Sequence, residues 1–406
     1  MDKPLADLIR ISNAVGKDKA LVQGGGGNAS VKTADGKYMY IKASGTVLKD
    51  MNARQGWRRL RLEPVLAIIK DVSVAKLDPD KREPEVVNRL LLACEDNVTS
   101  GARPSVESHL HGCLERCVIH LHSTVVGAYV NAKNGRAELE KLFAKENKPP
   151  LWVPYTDPGF MLAKRIAGLV GSYQEQYGCK PTVMILEKHG LFVTAKTADG
   201  ILRLVRKVIR LCKSRLKEPK ASKRKAPSVT DVTAAKLAIR RAVFKVTGQY
   251  LPVSYFGASK AVAAFMRRKD AAKLLATPAL SPDELVYANG SAMWVPKCDA
   301  KTISSKLAAQ LCKGQKPAAA FVVKGLGLFI AADKKMSTVI AEITESSLLI
   351  RTWAAGFGGV LALNKRQQDF INNWESESFR KKLASGAGTS NECDCPANPG
   401  TIPTVK

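Results

Sequence analysis

"LVQGGGGNASVKTADGKYMYIK", residues 21–42, decides the fold. Four glycines in a row, Gly24 to Gly27, mark backbone that turns sharply or passes close to something. Gly24, Gly26 and Ala29 satisfy the dinucleotide fingerprint G-x-G-x-x-G/A, and Asp50 follows about twenty residues on. That fingerprint must open a helix. Here it opens alternating segments on either side of "ADGK", which read as strand, turn and strand over 29–42. No G-K-[ST] follows, so the run is not a Walker loop either. A glycine-rich turn leading into a hairpin instead offers successive backbone N–H groups to an anion, with Asn28 adding a side-chain donor. "YIKASG", 40–45, brings Lys42, Ser44 and the Gly45 amide toward the same place, the converging donors and cation that a phosphate needs. A plain connecting loop is the alternative.

Outward from the hairpin, helices alternate with strands. Residues 3–15, "EPEVVNRLLLACE", "SVESHLHGCLERC", "STVVGAYVNA" and "TADGILRLVRKVIRLCKSRLK" read as helices, and "CVIHLH" as a strand. "PTVMILEKHGLFVTA" reads as two strands about a tight turn at His189-Gly190. Recurrent hairpins predict a layered α/β domain with a mixed or antiparallel central sheet flanked by helices. The break comes at "KSRLKEPKASKRKAPSVT", 213–230, with seven Lys or Arg between 213 and 225. It reads as a solvated linker, with a nuclear signal or RNA-binding patch as the alternative. The expected organisation is a first domain over 1–212, the linker 213–230, a second α/β domain over 231–385 and a disordered tail over 386–406. In the second domain, "VTAAKLAIRRAVFKVTGQ" and "SKAVAAFMRRKDAAKLLA" read as helices; "PDELVYANGSAMWV" and "AAFVVKGLGLFIAAD" read as strands. "VMILEKHGLFVTAKTADGILRLVRKVI" is echoed by "FVVKGLGLFIAADKKMSTVIAEIT", with Leu326 where the first copy has His189. The second domain therefore reads as a degenerate partial repeat.

Composition sets outer bounds. The 406 residues are 45% hydrophobic and 25% charged, long for one core. No apolar run reaches the roughly 20 residues that span a bilayer, and the start lacks a signal peptide's apolar core. The expectation is a soluble, cytoplasmic protein with no membrane partner. Nine cysteines without a CxxC pair read as free thiols in a reducing compartment, Cys393 and Cys395 included. The net charge of +28 attracts nucleic acid, membranes and phosphorylated metabolites alike, so it chooses none of them.

The five histidines are His109, His111, His120, His122 and His189. In "VIHLH", alternate residues share a strand face, so His120 and His122 project together roughly 7 Å apart, with Ile119 and Leu121 turned to the other face. Two imidazoles side by side grip one divalent cation. A catalytic zinc site has three protein ligands and an open position, and His189 on its turn is the third. The alternative is two half-buried histidines bonded to carbonyls. In "PSVESHLHGCLERC", Ser105 reads as a helix N-cap and Glu107 as a first-turn residue beside His111 at i+4. His111 is then a partner behind the ligands, and His109, about 200° away, is exposed or structural. Glu107 near a dication is a candidate base or displaceable ligand, against ordinary macrodipole compensation.

"GGGGNASVK", "YIKASG", "PSVESHLH", "VIHLH" and "EKHGLFV", in this order over about residues 5–210, resemble the class II aldolase/adducin family. The fuller chain, with "TPALSPDELVY", "VVKGLGLF" and "INNWESESFRKKLA", is similar to the aldolase part of bifunctional rhamnulose-phosphate aldolase/alcohol dehydrogenases; dehydrogenase activity is not carried over. The resemblance implies that His120, His122 and His189 hold zinc, that Glu107 is the acid/base, and that Asn28, the Ser44-Gly45 step and Ser105 join in binding phosphate. Fuculose-phosphate aldolase has a serine where this chain has Val106. The family's tyrosine, often from a neighbouring subunit, is not placed by these motifs, and Tyr155 in "VPYTDPGF" is no more than a guess. The implied activity is retro-aldol cleavage of a ketose phosphate by a homo-oligomer. Epimerisation or decarboxylation at the same metal site, a non-catalytic adducin-like module and a nucleic-acid binder are the alternatives.

Overall fold

The computed structural model describes residues 1–96, 102–219 and 226–374, together with 376, 379 and 383. Seven strands form one sheet: β1 (Asn28–Lys32), β2 (Tyr38–Lys42), β3 (Trp57–Arg61), β4 (Cys117–Leu121), β5 (Leu151–Val153), β6 (Val183–Leu186) and β7 (Gly190–Ala195). Their order is β3-β2-β1-β4-β7-β6-β5. Every pairing is antiparallel except β5 with β6. The glycine run thus opens a strand, and Asp50 ends a short 3-10 turn, Leu48–Asp50, so the dinucleotide geometry is absent.

Helices cover both faces, which is why β4 is buried along its whole length. Ile119 and Leu121 join Ala29, Val31, Leu191 and Val193 under the helices Lys3–Gly16 and Ala198–Lys213. Val118 and Phe192 face the opposite core with Leu162 and Ile166 of the helix Phe160–Tyr177. The period of two therefore puts His120 on the Val118 face, as the alternation requires. The helix Ala198–Lys213 shows the complementary pattern, burying Ile201, Val205, Val208 and Cys212 on one stripe. Thr197 caps it by accepting from the Gly200 amide at 3.1 Å.

Beyond the basic segment, β8 (Val253–Gly257), β9 (Met293–Val295), β10 (Ala320–Val323) and β11 (Gly327–Ala331) form a second sheet, ordered β8-β11-β10-β9. β9 runs parallel to β10 and the other pairings are antiparallel. That is the order and direction of β4-β7-β6-β5. The turns agree as well. His189 donates its amide to Leu186 O at 3.2 Å and Leu326 to Val323 O at 3.0 Å. Left-handed backbone falls at Lys188 (φ 56°) in one and Gly325 (φ 85°) in the other. The second sheet thus repeats four strands of the first, with a leucine in place of the turn histidine.

Three local expectations are corrected. "PDELVYA" is a helix, Pro282–Ala288, and only β9 in that stretch is a strand. All seven of its residues are buried, which erases the one-sided pattern that marks a surface helix. The helix around His109 and His111 is short, Ser108–Gly112, with Glu107 at its N-cap position. "SKAVAAFMRRKDAAKLLA" forms two helices, Lys260–Met266 and Ala271–Leu275. Cys94, Cys113, Cys117, Cys179, Cys212, Cys298 and Cys312 are free thiols. Cys393, Cys395, the tail 386–406 and residues 220–225 of the basic run lie outside the described residues. Among the described residues, no helix is long and apolar enough to cross a membrane.

Candidate metal centre and anion cleft

β4 sits between β1 and β7, and its register fixes the site. Asn28 of β1 and Phe192 of β7 both pair with His120, so the three side chains form a row on one face. The His120 ring stacks on Phe192 at 4.2 Å and its Nδ1 donates to Leu191 O at 3.2 Å. A donating Nδ1 leaves the Nε2 lone pair as the ligand atom. His122, just past the strand, donates from Nδ1 to the carboxylate of Asp283, which fixes its Nε2 in the same way.

His189 arrives from the β6–β7 turn. The left-handed Lys188 before it is held by its amide on Val130 O at 2.9 Å and its Nζ on Gln367 Oε1 at 3.1 Å. Gly190 after it faces Leu121 O so closely that any Cβ would strike the β4 backbone. Burial, with His120 adding to it, pushes the His189 pKa down to about 3, which keeps the ring neutral and able to ligate.

One ring nitrogen from each of His120, His122 and His189 lies within 4.8 Å of the others. The Nε2 atoms of His120 and His122 are 3.0 Å apart although both are acceptors in these tautomers. Two facing lone pairs at that distance repel unless a cation lies between them. A tetrahedral site with bonds of 2.0–2.1 Å separates its ligand nitrogens by roughly 3.3 Å. The donor set therefore fits a divalent metal, and the carbonyl-bonded alternative accounts for only one nitrogen of His120.

Glu107 closes the fourth side. Its Oε2 accepts from Asn28 Nδ2 at 2.6 Å and stands 3.8 Å from His120 Nε2; its Oε1 stands 3.9 Å from His189 Nε2. The carboxylate is buried beside the histidine triangle. Ser105 Oγ accepts from the Glu107 amide at 3.3 Å, a turn that presents Glu107 and does not cap the following helix. Lys42 O accepts from the Ser105 amide at 3.1 Å, and Arg103 O from the Ser44 amide at 2.8 Å. This pairing brings Ser44 and Ser105 to one end of the cleft. Gly25, Gly27, Asn28, Lys42, Ser44, Ser105, Val106, Glu107 and the three histidines line that cleft together.

Three candidates stand elsewhere. Gly45 is not in the lining; its backbone, at φ 78°, faces the Leu383 side chain. His111 bonds Ser30 Oγ through Nδ1 at 2.8 Å and meets Phe192 edge-on at 5.5 Å, so it supports the row from below and bonds no ligand histidine. Tyr155 donates to Asp157 Oδ1 at 3.2 Å and is outside the cleft. His109 is fully buried and stacks on Phe160, hence structural and not exposed.

Sequence reasoning missed Asp283, Pro282, Trp374 and Ser376, which also reach this cleft or its histidines. "SPDE", 281–284, carried a signal: a serine cap, proline at the first helical position and an acid at the third. The glycine run is also explained differently. A Cβ on Gly26 would stand 2.9 Å from Asp283 Oδ2 and 3.0 Å from His122 Nδ1, and one on Gly24 would stand 2.6 Å from Val339 Cγ1. What comes close to Gly24 and Gly26 is the second half of the chain, while Gly25 and Gly27 face the cleft. Gly26→Ala is accordingly expected to part His122 from Asp283 and lower metal affinity about tenfold or more, the scale of lost ligand support. Titration of the metal-free variant checks this; unchanged affinity would refute the packing argument.

The fold and site together define a mixed-sheet α/β protein with a three-histidine cluster that could hold a metal and an adjoining acid. The class II aldolase and adducin N-terminal domain model matches residues 6–216, and the chain belongs to that family. The uncharacterized oxidoreductase YuxG of Bacillus subtilis (strain 168) is 22% identical over 424 aligned residues, covering 95% of this chain and 59% of the relative. The chain thus spans about three fifths of that relative's length. The N-terminal class II aldolase domain of a conserved protein from Thermoplasma acidophilum is 24% identical, with a TM-score of 0.43, covering 53% of this chain and 94% of that one. YgbL from Klebsiella pneumoniae, a putative aldolase/epimerase/decarboxylase by its description, is 16% identical, with a TM-score of 0.37, covering 57% and 96%.

Proposed function

We propose that this chain is a zinc-dependent aldolase that cleaves a phosphorylated ketose of the rhamnulose-1-phosphate or fuculose-1-phosphate type to dihydroxyacetone phosphate and an aldehyde. The observation that carries the reading is Glu107, held by Asn28 at 2.6 Å and aimed at the side of a three-histidine triangle. A divalent cation held by His120, His122 and His189 supplies, when bound, Lewis-acid stabilisation of negative charge developing on the ketose oxygens.

The chain's own groups do the rest. Lys42, Ser44, Ser105 and the Gly27 backbone bind the phosphate at the far end of the cleft and set the distance to the reacting carbons. As the C3–C4 bond breaks, the C4 hydroxyl gives its proton to the Glu107 carboxylate and becomes the aldehyde, and the electron pair passes to C3 and the adjoining carbonyl. Glu107 returns a proton to C3. Asn28 keeps the carboxylate oriented, and the buried cleft walls limit water around the charge. Val106 offers no hydroxyl to the anion, so the phosphate rests on Lys42, the two serines and the Gly27 backbone.

The test is a screen of ketose 1-phosphates with the purified protein, scoring dihydroxyacetone phosphate and free aldehyde, before and after metal removal with a chelator. Release of both products from one substrate, lost with the metal and restored by zinc, is expected. No free aldehyde from any ketose phosphate would overturn the aldolase reading; epimer formation would assign the other chemistry of the same site.

A further inference from the structure

We propose that Asp283 is the positioning residue of the metal centre: it fixes His122 as an Nε2 ligand, so the second half of the chain completes the site built on the first. The inference rests on the metal reading above and deepens it.

The placement begins with the helix start. Ser281 Oγ accepts from the Glu284 amide at 3.4 Å, and Pro282 occupies the first turn, so the cap sets where Asp283 stands. The turn is then locked from behind. Glu284 Oε2 accepts from the Leu280 amide at 2.6 Å and Glu284 Oε1 from Ser347 Oγ at 2.7 Å. The fully buried Arg351 pairs with Glu284 at 3.3 Å and donates to Pro278 O at 2.9 Å. The pair is buried, and replacing either partner leaves an uncompensated charge. Asp283, the neighbour of Glu284, projects to another side of the same turn and is almost wholly buried against His122.

The two residues are 161 positions apart, and the first half makes room for their contact. Gly26 passes where a side chain would displace both partners. Gly25 passes beside the Tyr287 hydroxyl one turn further along the helix. The glycine run therefore lies along the start of Pro282–Ala288, and this close approach brings a carboxylate to the back of a ligand histidine. A carboxylate accepting Nδ1–H settles the tautomer, holds the ring plane and raises the basicity of Nε2. An acid in a first helical turn also compensates the macrodipole, but that role requires no contact with a histidine and no glycine opposite.

The experiment is zinc titration of metal-free protein against a chromophoric chelator, on the full chain and on the Asp283→Ala and Asp283→Asn variants. Cobalt replaces zinc in a parallel series so that the visible spectrum reports ligand geometry. Asp283→Ala should bind zinc about 10- to 100-fold more weakly than the full chain, with an altered cobalt spectrum and an unchanged far-ultraviolet dichroism spectrum. Asp283→Asn should fall between, because its amide oxygen still accepts Nδ1–H without the charge; it also serves if the alanine variant fails to fold. Zinc affinity of a folded variant within threefold of the unsubstituted chain, with the same cobalt spectrum, would overturn the role of Asp283 and leave the metal reading standing. An unsubstituted chain that binds no zinc would overturn both.

Discussion

Glu107→Gln is expected to keep its full complement of metal and to lose turnover by roughly 10²- to 10⁴-fold, the contribution of a positioned proton-transfer group. The substitution is nearly isosteric. The glutamine oxygen still accepts from Asn28, whose amide now stands 2.6 Å from the Glu107 carboxylate. Neither Glu107 oxygen is closer than 3.8 Å to a ligand nitrogen of His120 or His189, so the histidine set does not depend on it. What disappears is the group able to take and return a proton. Steady-state rates with the best ketose phosphate, together with metal analysis, measure this. A glutamine variant retaining more than a tenth of the turnover would remove the acid/base role, and one that loses its metal would make Glu107 a ligand instead.

His120→Ala is expected to lose the metal. Structural zinc sites bind with about 10–16 kcal/mol shared among four ligands, so one ligand carries on the order of 3 kcal/mol, beyond 100-fold in affinity. His120 is central because the register of β1, β4 and β7 places it between Asn28 and Phe192, with Leu191 O fixing its tautomer. The variant also loses a buried ring stacked on Phe192, so a fall in melting temperature accompanies the metal loss. Metal analysis after desalting checks the result, and stoichiometric zinc in a folded His120→Ala variant would refute the ligand assignment.

Much of the first sheet was legible because its signals are local. The hairpin at "ADGK" follows from turn chemistry between two alternating runs, and the strand after the glycines excludes a dinucleotide loop without any tertiary information. His120 and His122 share a face through a two-residue period, and His189 stands at a turn whose Gly190 permits close strand contact. The repeat of this turn at Gly325–Gly327 was visible as a spacing and is matched by the order and direction of the strands around it.

Pro282–Ala288 shows where local signals fail. Val286 and Tyr287 favour a strand, and burial on every side removes the helical stripe, while the serine cap and proline decide otherwise. Tyr155 and Gly45 illustrate direction: sequence put them near the site, but Asp157 and Leu383 hold them away from the cleft.

The sequence by itself determined the mixed-sheet architecture of the first half and the shared face of His120 and His122, because each rests on spacing within one strand or hairpin. Only the tertiary structure decided that Asp283 stands behind His122 and that Gly24 and Gly26 face the second half of the chain. Those contacts depend on how two sheets and their helices dock, over separations at which backbone periodicity carries no information about which side chains meet.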